Sequence, residues 1–149
     1  MVIIMKNDKD VINYVYKNAK MGFDSTLTLL KSLENRDNKI IPVVEDILKS
    51  YEEFKNKSAK VIEKYDEKKE TYGLASTLSA DMGIKMQVIK DNSDSAIADM
   101  LIKGLTMGEI EMTKMFGTFD DIENDEIKKI IKDFKDFQSN AIVKLKKFL

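Results

Sequence analysis

The stretch LTMGEIEMTKMF at residues 105–116 places two carboxylates, Glu109 and Glu111, in a segment rich in methionine. Carboxylate oxygens bind hard cations and can act as general acids or bases. On a helix, however, side chains two residues apart point in directions about 200° apart, so these two cannot converge on one ion. The oxygen ligands that a buried metal could use are Asp24, Glu52, Glu109 and Glu111. We nevertheless expect no metal site.

The composition removes the commonest catalytic and metal-binding side chains. The chain has no histidine and no cysteine, which excludes imidazole bases, thiolate ligands and disulfides. No phosphate-binding glycine motif occurs, and DDIENDE at 120–126 has Glu126 and Lys132 where a calcium loop needs glycine and glutamate. The net charge of −1 argues against a nucleic-acid partner. We expect no catalytic residue and no cofactor.

The hydropathy pattern predicts an all-α protein of 149 residues, which suits a single domain. Apolar residues recur at alternating spacings of three and four, as on the inner faces of bundled helices. The first stripe is Ile12, Val15, Ala19, Gly22, Thr26, Leu29 and Leu33, and the second is Ile40, Val44, Ile47, Tyr51, Phe54, Ser58, Val61 and Tyr65. The third is Ala98, Leu101, Leu105, Gly108, Met112, Met115 and Phe119, and the fourth is Ile127, Ile130, Phe134, Phe137, Ala141, Leu145 and Phe148.

The four helices form two related hairpins, at about 8–66 and 93–149. Gly108 corresponds to Gly22, and a methionine precedes each glycine. Asp8 or Asp10 can cap the first helix, and NSDS at 92–95 can cap the third. The stretch of about 67–92 between the hairpins carries apolar residues at helical spacing, so we predict a long, partly helical crossover. The competing interpretation joins residues 72–118 into one long helix.

Two hairpins joined by a long crossover resemble the ferritin-like four-helix-bundle superfamily, which includes rubrerythrin-type domains. The chain is also similar to small ferritin-like proteins of unassigned function from spore-forming bacteria. The di-iron members of the superfamily use Glu-x-x-His pairs, and this chain has no histidine. The second helix carries EEFK at 52–55 and the fourth DFKDF at 133–137, neither of which supplies such a pair. The ferroxidase and peroxidase chemistry of the family therefore does not carry over to these residues.

A steric role explains the two inner glycines. Each is expected to leave room for an aromatic ring from the neighbouring helix, so that rings fill the layer where relatives bind metal. We predict that this core layer contains Gly22, Gly108, Tyr51, Phe54, Phe134 and Phe137.

The first and third helices carry more apolar residues than one inner face requires. Tyr14 and Met21, like Met100 and Met107, lie outside the inner stripes and form the predicted interface. The crossover, a second subunit in a symmetric dimer, or a partner protein or apolar ligand could cover this surface.

These features predict a non-catalytic structural or protein-interaction module that is metal-free and acts through self-association or a partner. A homodimer is expected. The alternatives are a carboxylate-only, di-iron-like metal-binding protein and a carrier of a small apolar ligand in the bundle core. No run approaches the roughly 20 apolar residues of a membrane span, and the opening MVIIM is too short for a signal peptide. We therefore expect a cytoplasmic protein.

Overall fold

The described residues form four α-helices, as the hydropathy pattern predicts. The computed structural model describes residues 2–65, 91–118 and 122–149, with side chains described for 8–65, 91–114 and 122–149. The helices are α1 (Val2–Ser32), α2 (Ile41–Tyr65), α3 (Asp94–Thr118) and α4 (Asp125–Lys146). Helix α1 packs closely on α2 and α3 on α4, while α4 also packs on α2 and on α1. The all-α four-helix bundle is confirmed.

Most residues of the predicted stripes form the core. Ile12, Val15, Ala19, Phe134 and Leu145 are completely buried. Leu101 and Phe137 are only partly buried, and the side chains of Met115 and Phe119 lie outside the described residues. No helix in the described part of the chain is long and apolar enough to cross a membrane.

Short-range sequence signals explain three of the helix boundaries. After α1, Asn35 adopts a positive φ of 66°, which its short polar side chain tolerates. Pro42 lies in the first turn of α2, where a missing N–H breaks no helical bond. Before α3, Ser93 Oγ accepts a hydrogen bond from the N–H of Ala96 at 3.2 Å. Residues 91–93 are not helical, so the interpretation of 72–118 as one continuous helix is wrong.

The first helix begins earlier than the sequence suggests. It starts at Val2, so Asp8 and Asp10 lie inside α1 and the expectation that one of them caps it is wrong. The polar run KNDKD at 6–10 therefore lies within the helix and does not mark its start.

Hydrogen bonds between distant residues define the directions of the helices. At one end of the bundle, Asn38 Nδ2 donates to the carbonyl of Asn92 at 2.7 Å and to Asp94 Oδ1 at 2.9 Å. At the other end, Asn124 Nδ2 donates to the Tyr65 hydroxyl at 2.8 Å. Helices α2 and α3 therefore run in the same direction, and α1 and α4 run opposite to them.

This up-down-down-up order requires one long connection. Tyr65 and Asp91 flank residues 66–90, and they lie at opposite ends of the bundle. The predicted helical content of the crossover, and its apolar residues Leu74, Leu78, Met82 and Met86, lie outside the described residues.

Candidate functional site at the glycine layer

The four candidate metal ligands do not converge. Asp24 forms an ion pair with Lys20 one turn earlier, with Nζ and Oδ2 2.9 Å apart. Glu109 accepts a hydrogen bond from the hydroxyl of Ser139 on α4. Glu52 and Glu111 are exposed. Among the described residues, no group of three or more acidic side chains is placed to hold a metal ion.

Aromatic rings fill the middle of the bundle on the side of the first hairpin. A Cβ added to Gly22 would come within 2.6 Å of Tyr51 Cδ1, so the ring occupies the space that the glycine leaves. Tyr51 also meets Phe137 edge to face, with ring centroids 5.0 Å apart. Phe54 and Phe134 form a second such pair at 5.1 Å. The steric interpretation of Gly22 predicts this close approach.

An amide, not a ring, meets the second glycine. A Cβ on Gly108 would lie 2.6 Å from Gln138 Nε2 and 3.1 Å from Asn18 Nδ2. The expectation that Phe134 or Phe137 lies beside Gly108 was wrong. The buried positions of α4 include Phe134, Gln138 and Ala141, and this register leaves Phe137 half-buried against Tyr51 and Phe54.

The two glycines nevertheless serve the same purpose. Gly22 is contacted by a side chain from α2, and Gly108 by one from α4. In each case the contact comes from the other helix of the same hairpin. This correspondence agrees with the predicted relation between the hairpins, although the contacting groups differ in polarity.

Gln138 is the site residue that sequence reasoning missed. It is completely buried, and neither its Nε2 nor its Oε1 has a hydrogen-bond partner. An unsatisfied buried polar group costs about 1–3 kcal/mol of stability. The available signal was its spacing of four from Phe134 and three from Ala141, which places a polar residue on the inner stripe.

A polar group on α1 lies beside this amide. Asn18 Nδ2 donates to the Tyr14 hydroxyl at 3.3 Å, and both side chains are half-buried. Burial raises the pKa of Tyr14, the hydrogen bond from Asn18 lowers it, and the negative charge of Glu111 on α3 raises it further. We call Asn18, Gly108 and Gln138 the amide cluster; Tyr14 and Glu111 lie at its outer edge.

The predicted interface residues lie on two helices, Tyr14 and Met21 on α1 and Met100 and Met107 on α3. Met107 is 69% exposed, whereas Tyr14, Met21 and Met100 are partly buried. Gly104 is also exposed, and a Cβ added there would meet nothing within 4 Å. We call Tyr14, Met21, Met100, Gly104 and Met107 the seam face.

Register brings the two halves of the seam face to similar heights. Helices α1 and α3 run antiparallel and approach each other at Asn18 and Gly108. Counting along each helix from that contact places Met21 near the level of Gly104. Whether the seam face forms an interface stays a prediction.

No protein-family model, curated protein or solved structure matches the chain.

Proposed function

We propose that this protein is a non-catalytic association module: a ferritin-like, metal-free cytoplasmic bundle that forms a homodimer through the seam face. The exposure of Met107 carries the proposal. Met107 is 69% exposed and lies two helical turns from the partly buried Met100 on the same helix face, and apolar side chains that adjoin one another at a surface mark interaction sites.

The composition of the seam face fits this use. Methionine is flexible and polarisable, so it adapts to an opposing surface without a fixed shape. Gly104 lies one turn from both Met100 and Met107 and carries no side chain, which allows an opposing helix to approach closely. A symmetric dimer would use the seam face on both subunits.

Three observations bear on ancestry and on the alternatives. The up-down-down-up order with one long crossover is the order of ferritin-like folds, and it supports the proposed ancestry. The Tyr51 ring occupies the space beside Gly22 that a carrier of an apolar ligand would need to be open. The separation of Asp24 from Glu109, each bonded to a different partner, gives no support to a carboxylate-only metal centre.

The test compares two matched substitutions of exposed apolar residues. Met107→Asp introduces a charge on the seam face, and Val143→Asp introduces the same charge on α4, where the side chain is 59% exposed. We expect the wild-type protein to be dimeric and Met107→Asp to be monomeric, because burying an unpaired carboxylate is costly. Val143→Asp should remain dimeric.

The measurement is sedimentation velocity over a concentration series, supported by native mass spectrometry. Far-UV circular dichroism checks that both variants keep the helical content of the wild type. A wild-type protein that is monomeric at every concentration would refute self-association. A Met107→Asp variant that dimerises as tightly as the wild type would refute the assignment of the seam face.

A further inference from the structure

The outer face of α3 combines an apolar centre with charges on both sides of it along the helix. The exposed residues of this face lie within about 140° of the helix circumference, and they are Asp99, Lys103, Gly104, Met107, Ile110, Glu111 and Lys114. Met107 is 69% exposed and Ile110 is 49% exposed. An apolar centre with a polar rim is the usual anatomy of a protein–protein interface. We call these residues the α3 face.

A projection and a recess lie one turn apart on the α3 face. The Met107 side chain is exposed, whereas a Cβ added to Gly104 would meet nothing within 4 Å, so the helix backbone is bare at that point. Methionine is unbranched and flexible, so it fills an irregular recess well. Two copies of α3 that run antiparallel across a twofold axis bring Met107 to Gly104 twice, once from each subunit. The axis then lies at the midpoint of this pair, between residues 105 and 106.

The charges on the α3 face have nearly the same midpoint. Lys103 and Glu111 are centred on residue 107. Asp99 and Lys114 are centred between residues 106 and 107. These centres agree with that of the projection and the recess within about two residues, or about 3 Å of helix rise, which flexible charged side chains can span. An antiparallel pair of α3 helices therefore brings opposite charges together on both sides of the axis, whereas a parallel pair would bring each charge against its own copy.

We propose that α3 of each subunit packs antiparallel on α3 of a second copy, with the twofold axis near residue 106 and with Met107 of each subunit in the recess at Gly104 of the other. This contact presupposes the homodimer proposed above and specifies its helix and its register. Lys103 of one copy then lies opposite Glu111 of the other. Within the helix, Lys103 Nζ lies 2.8 Å from Asp99 Oδ2, but both side chains are more than half exposed, and such surface pairs contribute little stability that the new contact would have to replace.

The first experiment measures the direction and register of the helix pair by pulsed EPR spectroscopy. The chain has no cysteine, so Ser95→Cys and Thr113→Cys each carry one spin label per subunit. These two exposed residues lie outside the α3 face and point the same way, because they are about five helical turns apart. For an axis near residue 106, the two labels of a dimer are separated along the helix by about 33 Å at residue 95 and by about 21 Å at residue 113. We expect the longer distance for Ser95→Cys; equal distances, or a longer distance for Thr113→Cys, would overturn the proposal.

The second experiment tests the facing charges by sedimentation velocity over a concentration series. Lys103→Glu should raise the Kd of the dimer on the order of tenfold, because each of the two symmetric pairs loses an attraction and gains a repulsion. The double variant Lys103→Glu/Glu111→Lys should restore the wild-type Kd, because the two charges only exchange places across the axis. Lys129→Glu on α4 is the matched control, since Lys129 pairs with Asp133 one turn away at 3.0 Å, as Lys103 pairs with Asp99, and lies off the α3 face. This control should keep the wild-type Kd.

The wild type and the variants together distinguish the register from the homodimer itself. The substituted side chains are exposed or half-buried at the helix surface, and far-UV circular dichroism checks that each variant keeps the wild-type helical content. A wild-type protein that is monomeric at every concentration would refute both the homodimer and the α3 pairing. A wild-type dimer, combined with a double variant as weak as Lys103→Glu or with an equal loss in Lys129→Glu, would refute the α3 pairing alone.

Discussion

Replacing three helical glycines by alanine, one at a time, tests the packing of the bundle with a single added methyl group. Each glycine lies inside a helix, Gly22 in α1 and Gly104 and Gly108 in α3. The surroundings differ. The added Cβ would meet nothing within 4 Å at position 104, the flexible end of Gln138 at position 108, and the Tyr51 ring at position 22.

Gly104→Ala measures the intrinsic effect of the substitution. Alanine is favoured over glycine in a helix interior by about 1 kcal/mol, and within one subunit no neighbour opposes the new methyl group at this position. The three variants are compared at concentrations where the protein is monomeric, so that a partner at the seam face does not enter the comparison. We therefore expect the free energy of unfolding of Gly104→Ala to rise by about 0.5–1 kcal/mol. This variant is the reference for the other two.

Gly22→Ala should lower the free energy of unfolding. The helix-propensity gain is the same, but the methyl group would lie 2.6 Å or less from ring carbons of Tyr51. That ring cannot retreat freely because Phe137 packs against it at 5.0 Å. Overpacking of this kind costs about 1–3 kcal/mol, so Gly22→Ala should fall below Gly104→Ala by about that amount. Gly108→Ala should lie between them, because the end of Gln138 can move aside.

The assay is urea-induced unfolding followed by far-UV circular dichroism, with the free energy extrapolated to water. The double variant Gly22→Ala/Tyr51→Leu provides the control, because the penalty for the methyl group should shrink once the ring is gone. If Gly22→Ala is stabilised as much as Gly104→Ala, the Tyr51 ring does not fill the space beside Gly22 and the packing argument fails.

Two further predictions concern the end of the bundle and the seam. Asn124→Ala should lower the free energy of unfolding by about 1–2 kcal/mol, because Asn124 Oδ1 caps α4 by accepting from the N–H of Ile127 at 3.0 Å. Tyr65→Phe removes only the contact with Asn124 Nδ2, so urea unfolding should show a smaller loss of stability than for Asn124→Ala. Equal losses in the two variants would contradict the capping role of Asn124. Burial raises the pKa of Tyr14 in the folded protein above the 10.0 of an ordinary tyrosine. The stability that neutral Tyr14 contributes is therefore fully present below pH 10, and it is lost as the pH rises through the pKa of the folded protein. Melting curves at neutral and alkaline pH should therefore show a smaller alkaline loss for Tyr14→Phe than for the wild type, and identical losses would argue against this role.

The predicted stripes were reliable because burial of an apolar face is a local property of each helix. Val44, Ile47 and Phe54 repeat at a helical period, and that period alone identifies the inner side of α2. The turn at 35–38 and the cap at Ser93 could also be predicted from the sequence, because each depends on a few adjacent residues. The missed start of α1 shows the limit of such signals: Asp8 is a good cap residue, but the helix begins at Val2, before it.

The sequence by itself determined the helical class, the division into two hairpins and the positions of the inner glycines, because these follow from periodicity along one chain. Only the tertiary structure decided what each glycine faces. Tyr51 reaches Gly22 and Gln138 reaches Gly108 because of the rotation and height of neighbouring helices, and a shift of one residue moves a helical side chain by about 100° around its axis. Gln138, and not its neighbour Phe137, therefore faces Gly108. This register turns Phe137 toward Tyr51 and buries an unpartnered amide in the middle of the bundle.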